Sequence, residues 1–392
     1  MKAAWYTELG KAADVLTVGE IDRPNPQAGE VLVRVHTSGI NPSDVKQRSG
    51  WGGLKMRYPR VIPHNDGAGV IEAVGAGVDP AHVGERVWIY EATLRSGVGT
   101  AAEYVAVPSE NAIALPDSTS FAEGACLGVP AMTAHHTLFK DGAVAGKTVL
   151  VAGGAGAVGY YAIQLAKWGG ATVITTVSSA EKGAIAQTAT ADHIINYKQE
   201  NVVERIREIT GQKAGIDRVI EVDFAANLET NLAVLKVDGV IATYASDFNP
   251  TPSVPIYSLM YKNLTVHTVL VYAMSKAAHQ QAAVDITACL NANKLKHAIA
   301  QRFSLDEIAQ AHDLQESGKA VGNLVINLVS PTKACPSQLP LLARHMQRIL
   351  PGLKFIGGIF HVDLDPHCPI AIAQHAFQPF ANQISHTHKL WM

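Results

Sequence analysis

Cysteine is scarce in this chain, and its four copies, Cys126, Cys289, Cys335 and Cys368, share no short spacing. That argues against a disulfide framework and against a Cys-x-x-Cys metal clip. Charge of one sign is also missing. Lys and Arg number 32 against 34 Asp and Glu, a formal net charge of −2. No long-range field therefore draws the chain to nucleic acid, and no basic stripe with stacking aromatics is present. No apolar run reaches the ~18–20 residues of a membrane span. The opening MKAAWYTELG turns polar before a signal-like apolar core develops. These absences predict a soluble, cytoplasmic protein with no membrane partner.

What is present is enough apolar residue, 47% against 17% charged, to build substantial cores. At 392 residues the length favours two domains with an appendage. The first 125 or so residues read as β-rich, with VLVRVHTSGI (31–40) alternating at period two. GVIEAVGAGV (69–78) and ERVWIY (85–90) are further short β-like runs between turn residues. From FAEGACLGVPAMTAHHTLF (121–139), which has helical spacing, strand-like and helix-like pieces alternate. The series runs through TVLVA, ATVITTV, HIINY, DRVIEV and GVIATYA, which predicts a parallel sheet covered on both faces. KAAHQQAAVDITACLNANKL reads as an amphipathic helix and GNLVINL (322–328) as a closing strand. Residues 329–392 differ: VSPTKACPSQLP reads as a linker, LPLLARHMQRIL as one arm of a helical hairpin, and periodicity is weak. His361, His367, Cys368, His386 and His388 in this stretch fit no clean metal-ligand spacing.

One stretch carries chemistry. In VLVAGGAGAVGYYAIQLAKWGG (149–170), Gly154, Ala155, Gly156, Ala157, Val158 and Gly159 fit G-x-G-x-x-G. The pattern follows a strand and opens a helix, as a dinucleotide-binding turn must. Gly154 is expected to make the tight turn, Gly156 to admit a pyrophosphate to the backbone, and Gly159 to let helix and strand pack closely. The helix N-terminus then offers free N–H groups to the phosphates. The second strand ends in Val177, Ser178, Ser179, Ala180, Glu181 and Lys182. Hydroxyls and a lysine there suit a ribose 2′-phosphate better than the acidic residue of an NAD site, which makes NADPH the expected cofactor.

The order of motifs resembles the medium-chain dehydrogenase/reductase superfamily, in particular its zinc-free, zeta-crystallin-like quinone oxidoreductase branch. The resemblance covers about residues 1–328 and rests on SGINPSDVKQRSG, HNDGAGVIEAVGAGV, GTAAEYVAVP, GVPAMTAHHTL, VLVAGGAGAVG and HIINYKQENVVERIREITGQKAGIDRVIEV. It implies an α/β architecture: a GroES-like β-barrel catalytic domain (1–125 with 302–328) and a Rossmann doubly wound parallel sheet (126–301), followed here by an atypical extension (329–392). It also implies hydride transfer from nicotinamide C4 to a quinone. Enone, alkenal or enoyl-thioester reduction is the sibling reading, and a crystallin-like structural or RNA-binding role the reading from another class. Where zinc members carry ligands, this chain has Asn41, Asn65-Asp66 and Val129, so no metal is expected. His64 beside them reads as a hydrogen-bonded loop residue.

For the acceptor, the resemblance points to Asn41, and to Lys46 where many relatives carry a tyrosine. For the cofactor it points to Thr133 near the nicotinamide and Tyr197 near the adenosine phosphate. Ser246 follows the fifth strand, and Leu270 and Val271 belong to the segment whose backbone holds the carboxamide. It further implies a homo-oligomer, dimer or tetramer, paired through sheet edges. Asp223, after IEV, is left without an explanation.

Overall fold

The computed structural model describes residues 1–211 and 215–328, together with the backbone of 353–356 and 359–362. The chain forms two compact units, Met1–Val329 and Ser330–Met392.

The first unit holds two large sheets. A seven-stranded mixed sheet is centred on Glu30–Ile40, which pairs with Asp66–Val74, Tyr104–Pro108 and Asn323–Asn327. The expected alternation in 31–40 is largely erased: Val31, Leu32, Val33, Val35 and Thr37 through Ile40 are all buried. Helix Phe121–Gly124 packs on this strand and only Arg34 in it is exposed, so little of either face is left to water. GNLVINL does close this sheet. Its strand Asn323–Asn327 runs antiparallel to Glu30–Ile40 and parallel to Ile299–Ser304.

The second sheet has six parallel strands in the order His193–Asn196, Thr172–Val177, Thr148–Val151, Ile216–Glu221, Leu235–Thr243 and Thr265–Thr268. In chain order that is 3-2-1-4-5-6, the doubly wound arrangement expected from strand–helix alternation. Helices Ala157–Trp168, Val129–Phe139 and Lys276–Asn291 pack on one another, and their buried residues join one core with Val149, Val151 and Val173. Polar N-caps start the helices. Ser179 accepts from Lys182 N at 3.2 Å, Asn201 from Val203 N at 3.0 Å, and Ser275 from Ala278 N at 3.2 Å. Asp223 proves to be another such cap. It accepts from Ala226 N at 3.4 Å and, through its other oxygen, from Phe248 N at 3.0 Å, which anchors the loop after Leu235–Thr243. Among the described residues, no helix is long and apolar enough to cross a membrane.

In the second unit, Leu353–Ile356 pairs antiparallel with Ile359–Val362. The two residues between these strands are Gly357 and Gly358, a hairpin signal that the weak periodicity of 329–392 hides. LPLLARHMQRIL, His367, Cys368, His386, His388 and the side chain of His361 lie outside the described residues.

A buried histidine pair stitches helix Ile308–Glu316 to the seven-stranded sheet. His64 Nε2 and His312 Nε2 are 2.9 Å apart, while His64 Nδ1 meets Ser38 Oγ at 2.8 Å. Burial pushes His64 down to about 3 and His312 well below its usual value. Below about pH 6.5 the unfolded chain therefore takes up protons that the folded chain refuses. Each ring then costs stability as pH falls, by up to about 1.4 kcal/mol per pH unit. Denaturant titrations at pH 7 and pH 5 should show the wild type losing more stability on acidification than His312→Gln. Equal losses would mean that the pair does not bear this cost.

Candidate active site

The carboxyl ends of the six parallel strands bring the expected cofactor residues to one edge of the sheet. The direction of winding reverses between Thr148–Val151 and Ile216–Glu221, and a crevice opens at such a switch point. The glycine turn sits there. The tight turn closes through Gly156 N, which donates to Gly153 O at 2.9 Å, with Gly154 and Ala155 at its centre; Gly153 takes the positive φ, +69°. Gly154 is also needed for packing: a Cβ on it would lie 2.1 Å from Thr175 Oγ1, which is buried and donates to Val151 O at 2.7 Å. A Cβ on Gly159 would lie 2.3 Å from Gly153 O, so close approach of helix and turn is confirmed. A Cβ on Gly156 would meet only Gly153 O at 3.3 Å and otherwise faces open space. Ala157 and Val158 follow in the first turn of helix Ala157–Trp168, whose amides have no carbonyl ahead of them. Ala155 is buried beneath the turn.

The other expected cofactor residues fall around this point. Ser178 is half-buried after the strand Thr172–Val177, and the side chain of Lys182 has no ion pair among the described residues. Tyr197 is 47% exposed beyond the strand His193–Asn196, with Lys198 Nζ 5.3 Å from its ring centre. Thr133 is buried in helix Val129–Phe139. Ser246 is committed to the loop: it donates to Asn249 O at 2.6 Å and accepts from Ala225 N at 3.2 Å. Leu270 is 61% exposed, whereas Val271 is buried. A cavity of about 600 Å³ lies beside them, lined by Ser246, Thr268, Leu270, Tyr244, His136 and Lys140 among others. Burial, with Lys140 close by, pushes His136 down to about 4, so its ring is neutral at pH 7.

Asn41 and Lys46 approach from the seven-stranded sheet, on helix Pro42–Ser49. Asn41 caps that helix and is gripped by two carboxyl groups. Its backbone N donates to Asp44 Oδ2 at 2.8 Å and its Nδ2 to Asp66 Oδ2 at 2.8 Å. Asp66 Oδ2 also accepts from Val129 N at 2.8 Å. The three places that hold zinc ligands in other members of the resembled superfamily thus converge, but on a carboxylate, an amide and a backbone N–H. Among the described residues no group of three or more His, Cys, Asp or Glu side chains is placed to hold a metal ion. Burial and the neighbouring Asp44 raise Asp66 well above the carboxylate range, and burial pushes Asp44 up to about 7.

Asn65 extends the cluster. Its Nδ2 reaches Asp44 Oδ1 and the Tyr272 hydroxyl, each at 3.2 Å, and Tyr272 also meets Ser43 Oγ at 2.8 Å. Tyr272 directly follows Leu270 and Val271, so these bonds join the two halves of the site. Lys46 makes a second link: its Nζ lies 2.7 and 2.8 Å from the two carboxylate oxygens of Asp247 and 4.5 Å from the Trp51 ring centre.

The chain matches the alcohol dehydrogenase GroES-like domain over residues 27–117 and the zinc-binding dehydrogenase family over 157–288. It is 31% identical over 335 residues to a quinone oxidoreductase of Homo sapiens, covering 84% of this chain and 98% of that one. A quinone oxidoreductase of Pseudomonas aeruginosa is 30% identical over 322 residues, covering 80% and 95%. The chain belongs to the quinone oxidoreductase branch of the medium-chain dehydrogenase/reductase superfamily. A crystal structure of Escherichia coli quinone oxidoreductase complexed with NADPH superposes with a TM-score of 0.73 at 26% identity, covering 84% of this chain and all of that one. Family membership supports an oxidoreductase on a Rossmann-type sheet with a GroES-like N-terminal domain. The second matched family is named for zinc, yet the cluster around Asp66 has neither thiolate nor a metal-facing imidazole.

Sequence reasoning gave no role to Asp44, Asp247 or the side chain of Tyr272, and named Asp66 only at a place where zinc members of the superfamily carry a ligand. Only Asp44 had a local signal, the Asn41-x-x-Asp44 capping spacing. The glycine geometry yields a paired test. Gly154→Ala should cost about 1–3 kcal/mol of unfolding free energy through overpacking. Gly156→Ala, at φ −73°, should stay within about 1 kcal/mol of wild type. Denaturant melts of the two variants decide it, and similar losses in both would refute the packing assignment.

Proposed function

We propose that this chain is an NADPH-dependent quinone oxidoreductase that works without zinc. The observation that carries the reading is the open face of Gly156 at the helix N-terminus, on the same strand edge as a cavity walled by Ser246, Thr268 and Leu270. That cradle suits a diphosphate, because unpaired amides and the helix dipole both face it. NADPH, when bound, supplies the hydride from its nicotinamide. The chain supplies position and exclusion of water.

In this reading the first-turn amides of Ala157, Val158 and Gly159 hold the diphosphate. Ser178 and Lys182 take the 2′-phosphate, and Tyr197 packs on the adenosine side. Thr133, Ser246 and the backbone at Leu270 and Val271 border the nicotinamide. Asn41 offers its second amide N–H to the acceptor oxygen, since the first is spent on Asp66. The charge of Lys46 is already balanced by Asp247. Its part is therefore at the entrance, beside Trp51, and not as a polariser of the acceptor. In the same reading the domains divide at about residues 125 and 302, and the cleft lies between the two sheets. The strand Thr265–Thr268, an edge of its sheet among the described residues, with Val266 exposed and Tyr257, Met260 and Tyr261 just before it, is the surface for self-association into a dimer.

Purified protein should oxidise NADPH with a panel of quinones faster than with alkenals, and prior dialysis against a chelator should leave the rate unchanged. Lys182→Glu should cut the preference for NADPH over NADH by about tenfold or more. An unchanged preference would remove Lys182 from the phosphate site. Faster turnover of alkenals than of quinones would move the substrate class to enones.

A further inference from the structure

We infer that Tyr272 is the second hydrogen-bond donor to the acceptor oxygen, a catalytic group that acts from the nucleotide side of the cleft. This rests on the quinone-reductase reading above. Three features of the structure lead there. The hydroxyl sits inside the polar cluster that holds Asn41, within hydrogen-bond reach of Ser43 Oγ and Asn65 Nδ2. It is carried on the segment that follows Leu270 and Val271, so it reaches the Asn41 cluster from the half of the chain that carries the parallel sheet. The other donor on the Asn41 side, the Lys46 ammonium of helix Pro42–Ser49, is held by both oxygens of Asp247.

The bonding of Tyr272 leaves it able to donate. Asn65 Nδ2 has no acceptor capacity, so it must be the donor in its contact with the phenol oxygen. The phenol proton is then directed to Ser43 Oγ or to an incoming acceptor. Ser43 is a replaceable partner, because its own hydroxyl can rotate away. Burial, with Asp44 and Asp66 nearby, raises the Tyr272 phenol well above its usual range, so the proton stays in place across the working pH.

A quinone that accepts a hydride gains two electrons and becomes the hydroquinone monoanion, while the nicotinamide is oxidised to NADP⁺. Negative charge thus develops on a quinone oxygen, and a proton from water completes the hydroquinone. Tyr272 stabilises that charge by donating a hydrogen bond and keeps its own proton. A fixed donor aimed at developing charge inside a dry cleft does more than it would in water.

The test uses the full chain. Wild-type protein is first shown to bind and oxidise NADPH with a quinone; failure there sinks the functional reading, not this residue's role. Tyr272→Phe should then lower kcat by about 10- to 100-fold, with the dissociation constant for NADPH and the melting temperature close to wild type. Ser43→Ala, which keeps the phenol and removes only its partner, should lose no more than about threefold. Because the phenol does not titrate, the ratio of wild-type to Tyr272→Phe rates should stay flat from pH 6 to pH 9. A kcat for Tyr272→Phe within twofold of wild type overturns the proposal. So does an equal loss in Ser43→Ala, which would assign the effect to packing of the cluster.

Discussion

A carboxyl group with no water around it must be bonded or neutral, and Asp66 is such a group. It is wholly buried, and one oxygen takes hydrogen bonds from both Asn41 Nδ2 and Val129 N. Its backbone carbonyl accepts from Thr100 Oγ1, which in turn meets Ser38 and the His64–His312 pair. Breaking any one of these would leave a buried polar atom unsatisfied, a cost of about 1–3 kcal/mol. The start of helix Pro42–Ser49, the start of helix Val129–Phe139 and the strand Asp66–Val74 are therefore held in one geometry. Everything that reaches into the cleft from this side, Asn41 foremost, inherits its position from that tie.

The same cluster explains how a site can do without a strong ion at its centre. Burial raises both carboxyl groups, Asp44 and Asp66, and Asp44 stands close enough to oppose ionisation of Asp66. Asp66 Oδ2 and both oxygens of Asp44 accept from amide and backbone N–H groups, which add no net positive charge, while Asp66 Oδ1 has no hydrogen-bond partner among the described residues. The groups bonded to the two carboxyls are thus neutral donors. Neutral donors suit an acceptor that is easy to reduce, since a quinone needs orientation and modest stabilisation of an oxyanion more than it needs a Lewis acid.

Much of the fold was legible because it depends on local pattern. Short strand-like runs alternating with helix-like pieces are repeated many times between residues 148 and 268, and each repeat reinforces the doubly wound sheet. The glycine turn was legible for a similar reason, although the packing demand on Gly154 was not: it comes from Thr175, a residue on the neighbouring strand. The carboxyl cluster shows where sequence reading stops. Asn41 and Asp66 are 25 residues apart, and Ser43 and Tyr272 are 229 apart. No periodicity links such pairs; the first meets when Glu30–Ile40 pairs with Asp66–Val74, the second only after both sheets have formed. Asp223 was opaque for the opposite reason. Its cap is local, but its second bond goes to Phe248, and the need to anchor that loop is invisible until the loop is placed.

The two links across the cleft differ in kind from the tie at its base, and the difference bears on how a substrate enters. Lys46 and Asp247 are 26% and 52% exposed, so their attraction is screened and such a pair contributes only about 0–1 kcal/mol. The Tyr272–Ser43 bond is between two hydroxyls, each of which can exchange its partner for another oxygen. Neither link opposes opening strongly. The bonds to Asp66, by contrast, exchange with nothing, because no solvent reaches them. A cleft built this way keeps its floor rigid while its mouth yields at small cost. That division is what a reductase needs when it must admit a large nucleotide and then hold a flat acceptor in register against it.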